Sequence, residues 1–167
     1  MKDWVTMKKS KKYILAGMLF ALLAALAGCG TTQPQTGKKI SMYYVNTAET
    51  KVEVHDQYLD TKTPEEQLDE TMKYLSTTPE KLEYKAPLDM GFQVRDYEVE
   101  DGKLLIDVDK AYSELSPTTE VLVRAAIVRT LTQLSYVKYV GITVEGGQLY
   151  DNAGELVGWM NADQFIN

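Results

Sequence analysis

The sequence is short of the residues on which most protein chemistry depends. It holds one cysteine, Cys29, and one histidine, His55, among 167 residues. A lone thiol forms no internal disulfide, and one thiol with one imidazole falls short of a structural zinc site. Ser113, Ser116 and Ser135 lack the Gly-x-Ser-x-Gly elbow of a hydrolase, and Gly146-Gly147 is not part of a phosphate-loop pattern. Positive charge is scarce too: 18 Lys and Arg stand against 24 Asp and Glu, a net charge of -6. Such a chain repels nucleic-acid phosphates and gains nothing from an anionic membrane surface. Long apolar runs are missing as well. The longest, Tyr13 to Ala27, is about 15 residues, where a spanning helix needs roughly 20. What is present, 44% hydrophobic and 25% charged residues, is enough for a packed core.

That run follows Lys8, Lys9, Lys11 and Lys12 and ends in Leu26-Ala27-Gly28-Cys29. The layout is that of a signal peptide over residues 1–28, with translation from Met1 or Met7. Its end resembles the bacterial lipoprotein signal, in which cleavage occurs before a lipid-modified cysteine. The resemblance implies that Cys29 carries a thioether-linked diacylglycerol, becomes the mature N-terminus and holds the protein on the extracytoplasmic face of the cell membrane. Two acyl chains anchor far better than one. Cleavage removes five lysines and one aspartate, which takes the chain from -6 to -10. Residues 29–39, polar with Pro34 and Gly37, read as a flexible tether.

A single domain is expected over 40–167. Ile40 to Val45 and Lys51 to Leu59 read as strands. Thr63-Pro64-Glu65-Glu66 is a helix start with a capping box, and Leu68, Met72 and Leu75 form one apolar stripe behind it. A polar loop follows to about Gly91. Phe92 to Glu100 and Lys103 to Asp109 flank Asp101-Gly102, a two-residue hairpin turn. That turn sets Glu100 opposite Lys103, Glu98 opposite Leu105 and Asp96 opposite Asp107. Tyr97, Val99, Leu104, Ile106 and Val108 then share a dry face. Phe92 and Val94 have the wrong parity, so a bulge is expected near Arg95. Ser116-Pro117 opens a second helix to about Leu134, with the stripe Val123, Ile127, Leu131 and Leu134 and with Arg124 and Arg129 at its margins. Val137 to Val144 is the next strand. The order predicts an α+β fold, a small, mostly antiparallel sheet with two helices packed on one face.

These residues resemble the GerMN domain of sporulation and spore-germination proteins. Val99-Glu100-Asp101-Gly102-Lys103-Leu104-Leu105-Ile106-Asp107-Val108 looks like its "v-dG-v-DlS" hairpin, with Asp109 where the family often has Ser. Thr130-Leu131-Thr132-Gln133-Leu134, Val137, Val140 and Ile142-Thr143-Val144-Glu145-Gly146 resemble its second block, and Gly154 to Gly158 with Asp163-Gln164-Phe165-Ile166 its close. The likeness implies an extracytoplasmic module similar to ring-building motifs, without catalytic residues or cofactors, that works by contact with other envelope proteins or its own copies. Sporulation members usually carry two such domains. Room here for one favours general envelope work over a sporulation role.

The candidate sites follow from the charges. Asp96, Glu98, Glu100, Asp107 and Asp109 line the wet hairpin face beside Lys103 and form the expected partner surface. Asp96 opposite Asp107 should repel unless a cation intervenes; two flat strands offer too few oxygens for Ca²⁺. His55 and Asp56 point to opposite faces as strand neighbours, so His55 reads as an edge residue rather than a base. Glu65, Glu66, Asp69 and Glu70 read as dipole complements rather than acid-base pairs. The expectation is a non-catalytic binding or assembly lipoprotein; the alternative is capture of a solute or peptidoglycan fragment, which needs a sizeable pocket.

Overall fold

Residues 37–78 and 83–165 are described by the structure, a computed structural model; Cys29, the signal and most of the tether lie outside them. β1 (Lys38–Asn46) and β2 (Val52–Leu59) form an antiparallel hairpin. β1 thus takes in Lys38 and Lys39, which the composition assigns to the tether. They pair with Leu59 and Tyr58, and Lys39 forms an ion pair with Asp56 at 2.7 Å. Ile40, Met42 and Tyr44 point inward and are buried.

α1 (Pro64–Leu75) begins with the expected capping box: Thr63 Oγ1 accepts from Glu66 N–H, and the Glu66 carboxylate accepts from Thr63 N–H, both at 3.3 Å. Leu68, Met72 and Leu75 are its buried stripe. The segment expected to be a polar loop contains β3 (Tyr84–Lys85), paired with Val45 and Asn46, and the buried Ala86 and Leu88. Two residues are too few for alternation to show in a sequence.

β4 (Val94–Glu100) and β5 (Lys103–Val108) pair in the register set by their turn, where Asp101 and Gly102 adopt φ of 50° and 80°. Positive φ at both positions matches the right-handed strand twist. The register shifts between Val94 and Asp96, so the bulge at Arg95 is present. A 3-10 turn, Lys110–Glu114, leads to α2 (Pro117–Leu131), capped by Ser116 Oγ accepting from Thr119 N–H at 3.2 Å. α2 stops three residues before Leu134, which is nevertheless buried in the turn that follows. Ala125, Ala126, Val128 and Thr130 are buried beside its stripe, so α2 is covered nearly all round. β6 (Tyr139–Val144) then runs parallel to β5, the pairing a helical crossover permits, and β7 (Gly147–Gln148) closes the sheet.

The α+β class with two helices and mostly antiparallel pairing stands, but the strands divide into two sheets, β2-β1-β3 and β4-β5-β6-β7. The reason lies on the open side of β1. There α2 side chains occupy the place of a joining strand: Thr130 Oγ1 accepts from Tyr43 N–H at 3.0 Å, and the Gln133 amide bonds Ser41. The core is shared, with Leu104, Ile106, Val140 and Ile142 of the second sheet and Ile40 and Met42 of the first in one cluster.

Candidate functional site

Alternation along the second sheet assigns its outer face. Asp96, Glu98 and Glu100 of β4, Lys103, Leu105 and Asp107 of β5, and Tyr139, Gly141 and Thr143 of β6 lie on that side. Asp96, Glu98 and Glu100 are exposed. Asp107 and Asp109, the other two residues of the expected partner surface, are half-buried and their carboxylates are engaged. Asp107 Oδ1 accepts from Gly146 N–H at 2.7 Å and Thr143 Oγ1 at 2.8 Å, while Oδ2 accepts from Arg95 Nη1 at 3.0 Å. The Gly146 hydrogen bond foremost, then Thr143 and the Arg95 charge, outweigh burial and hold the Asp107 carboxyl below the usual range. Asp109 Oδ1 accepts from Ala111 N–H at 3.1 Å and caps the 3-10 turn. The cation that relieves Asp96 against Asp107 is therefore Arg95. The extra residue of the bulge supplies it.

The same face carries aromatics that no periodicity announces. Met160 exchanges both backbone hydrogen bonds with Val140, at 2.8 and 2.9 Å, and brings Trp159 over Gly141. A Cβ on Gly141 would lie 2.8 Å from Trp159 Cζ3. Lys103 Nζ sits 5.4 Å from the indole centroid, a cation-π contact. Trp159 remains 43% exposed and Tyr139 41%, so both are available to a partner. The one sequence signal for Trp159 was a glycine within an apolar strand, which marks close approach of another group.

A groove runs between α1 and β4. Tyr97 Oη donates to Asp69 Oδ1 at 2.8 Å and divides it in two. The larger cleft, about 520 Å³, is lined by Glu65, Leu68, Asp69, Glu98, Val99 and Tyr136, among others. Tyr136 donates to the carbonyl of Pro64, and burial, reinforced by Glu65 and Asp69, pushes its hydroxyl up to about 12. The smaller cleft, about 350 Å³, has Met72, Lys73, Val94 and Arg95 in its walls.

Elsewhere the polar clusters tie elements together. His55 stacks on Tyr84, with ring centroids 4.2 Å apart, and Tyr84 Oη lies 3.4 Å from Nδ1. Asp56 faces the other way, toward Lys39 and Ser41. Tyr43 carries the Arg129 guanidinium 4.2 Å above its ring, and Tyr44 is buried. Arg124 is drawn inward rather than to the margin: Nη2 donates to Glu120 Oε2 at 3.0 Å, and Nε lies 2.9 Å from Oε1 without hydrogen-bond alignment. Buried Tyr112 donates to Glu120 Oε1 at 3.0 Å. Glu70 anchors the loop before α1 by accepting from Asp60 N–H, Thr61 N–H and Thr61 Oγ1.

A family described as Germane, sporulation and spore germination, matches residues 41–150. The fold is similar to the first GerMN domain of the sporulation protein GerM from Bacillus subtilis, with a TM-score of 0.55 and 17% identity over 76% of this chain and 98% of that one. It is similar also to the tandem GerMN domains of that protein, with a TM-score of 0.51 and 18% identity over 80% of this chain and 49% of the tandem. Among curated proteins, none matches.

Proposed function

The chain belongs to the Germane family of sporulation and spore germination, and on that premise we propose that it is a lipoprotein whose GerMN-like domain is a non-catalytic protein-binding or assembly module. A diacylglyceryl group on Cys29 would hold it at the extracytoplasmic face of the cell membrane, in sporulation, germination or envelope maintenance. The observation that carries the module reading is the outer face of the second sheet. Among the described residues no helix covers it, and it sets three exposed carboxylates, Asp96, Glu98 and Glu100, on one face with Tyr139 and Trp159. Large aromatics flanked by solvated charge are the composition of a contact surface, where the ring supplies area and the rim sets partner and rate.

The test is site-specific photo-cross-linking on intact membranes with the probe at Glu100. The reading expects a discrete cross-linked species that disappears in a Tyr139→Ala, Trp159→Ala double variant. A chain that remains membrane-bound and yields only monomer overturns it. Cys29→Ser tests the anchor separately and is expected to move the protein to the soluble fraction.

A further inference from the structure

We infer that the groove between α1 and β4 receives an extended, lysine- or arginine-bearing segment of another protein, added as a strand to the free edge of β4. This deepens the binding-module reading and rests on it. Among the described residues, β4 is the terminal strand of its sheet and pairs only with β5. The two-residue turn makes Glu100 and Lys103 a hydrogen-bonded pair, so Glu98, two residues on, also turns its backbone to β5. Tyr97 and Val99 then turn theirs outward. The Tyr97 N–H bonds Asp96 Oδ1 at 2.9 Å instead of β5, as that alternation requires. The Tyr97 carbonyl and both backbone groups of Val99 remain for a new strand.

The edge also limits what can be added. The bulge at Arg95 and the Asp96 carboxylate end regular pairing below Tyr97, two devices that blunt an open edge. A guest strand therefore pairs along Tyr97 to Glu100, beside the larger cleft. Every second side chain of such a strand points to the same side, here over Leu68 and Val99.

Charge selects the guest. Among the described residues, the charged ones lining the larger cleft are Glu65, Asp69 and Glu98, without a lysine or arginine. A lysine or arginine side chain suits this arrangement because its stem lies on apolar surface while its head reaches the carboxylates. A second copy of the chain suits it poorly, since the part from Cys29 onward carries -10 and two such domains repel. The occupant is a basic segment of a different protein, captured by strand addition.

The experiment titrates the full-length chain in detergent with a fluorescent peptide of alternating lysine and valine, about ten residues long. It is compared with its glutamate-valine counterpart and with a lysine-valine peptide N-methylated at alternate residues. The proposal expects the lysine peptide to bind at least about tenfold more tightly than either control. It also expects Glu65→Lys, which sets a cation in the cleft from an exposed helix position, to weaken binding by a similar factor with the melting temperature little changed. Equal binding of the N-methylated peptide, equal binding of the glutamate peptide, or binding of neither at millimolar concentration overturns it. Cross-linking from Glu100 separates the two readings. If wild-type membranes give the cross-link while the wild-type chain fails to bind the peptide, the groove is lost and the module reading stands; if wild type gives no cross-link, the module reading is lost.

Discussion

The side chain of Gln133 makes both backbone hydrogen bonds of Ser41: Oε1 accepts from Ser41 N–H at 2.9 Å, and Nε2 donates to Ser41 C=O at 2.7 Å. A primary amide has the donor and acceptor of a peptide group, so Gln133 does for β1 what a neighbouring strand would do. Thr130, one turn earlier, satisfies Tyr43 N–H. Both belong to the Thr130 to Leu134 block, and the structure gives that block a physical purpose: it fastens α2 to a strand about 90 residues away in sequence, by the bonds from Ser41 and Tyr43. Gln133→Glu keeps the acceptor and sets a carboxylate against the Ser41 carbonyl. Urea unfolding is expected to show a loss of about 1–2 kcal/mol, with Gln133→Ala near the lower end because water reaches Ser41.

Gly141 holds the place of the Trp159 ring. Gly141→Ala puts a methyl 2.8 Å from Cζ3 and is expected to displace the indole and to cost about 1–3 kcal/mol. The other tryptophan is Trp4, within the stretch expected to be cleaved, and a chain from Cys29 onward holds Trp159 alone. Its emission should shift to the red in the variant, and an unchanged spectrum would show that the ring does not rest on Gly141.

The Tyr112–Glu120–Arg124 cluster is a buried ionic unit of the core, with 14% and 12% side-chain exposure at Arg124 and Glu120. Tyr112→Phe removes one donor from a carboxylate that Arg124 still pairs, an expected loss of about 1–2 kcal/mol. Glu120→Ala leaves the guanidinium without its partner and should cost more, about 3–5 kcal/mol. Equal losses in a thermal or denaturant series would mean that the ion pair adds nothing beyond the tyrosine bond.

Acid should unfold the domain through carboxylates held low in the folded state. Asp107 is lowered chiefly by Gly146 N–H, Glu49 by the Lys85 ammonium bonded to it, and Glu70 by Thr61 and Asp60 bonds that together outweigh burial. A lowered folded value favours the folded state above the unfolded one, and that advantage is lost as pH falls through the folded value. The melting temperature is therefore expected to stay level above about pH 5 and to fall below about pH 4. Asp107→Asn and Glu49→Gln should each flatten that acid limb. A steeper limb in either variant would contradict the assignment.

The elements legible beforehand are those with a local cause. Thr63 and Glu66 cap each other within four residues, Asp101-Gly102 dictates a register, and the wrong parity of Val94 requires a bulge. Each of these depends on side chains and backbone close in sequence. β3 and β7 are two residues long and carry no period. Arg95 illustrates a partial reading. Its bulge follows from parity, but its bond to Asp107 depends on where the bulge aims the guanidinium. The outer-face site was half visible for the same reason: the carboxylates alternate along a strand, whereas Trp159 reaches that face from a tail with no regular pattern.

By itself the sequence determined the two helices, the central hairpin with its register and bulge, and the acidic character of one hairpin face, because caps, turns and alternation act over a few residues. Only the tertiary structure decided that the strands form two sheets, that Gln133 stands in for a strand, that Asp107 is bound while Glu98 is exposed, and that α1 leaves a groove along β4. Those outcomes depend on which distant groups meet, and a backbone donor or a carboxylate takes the partner that packing brings within reach.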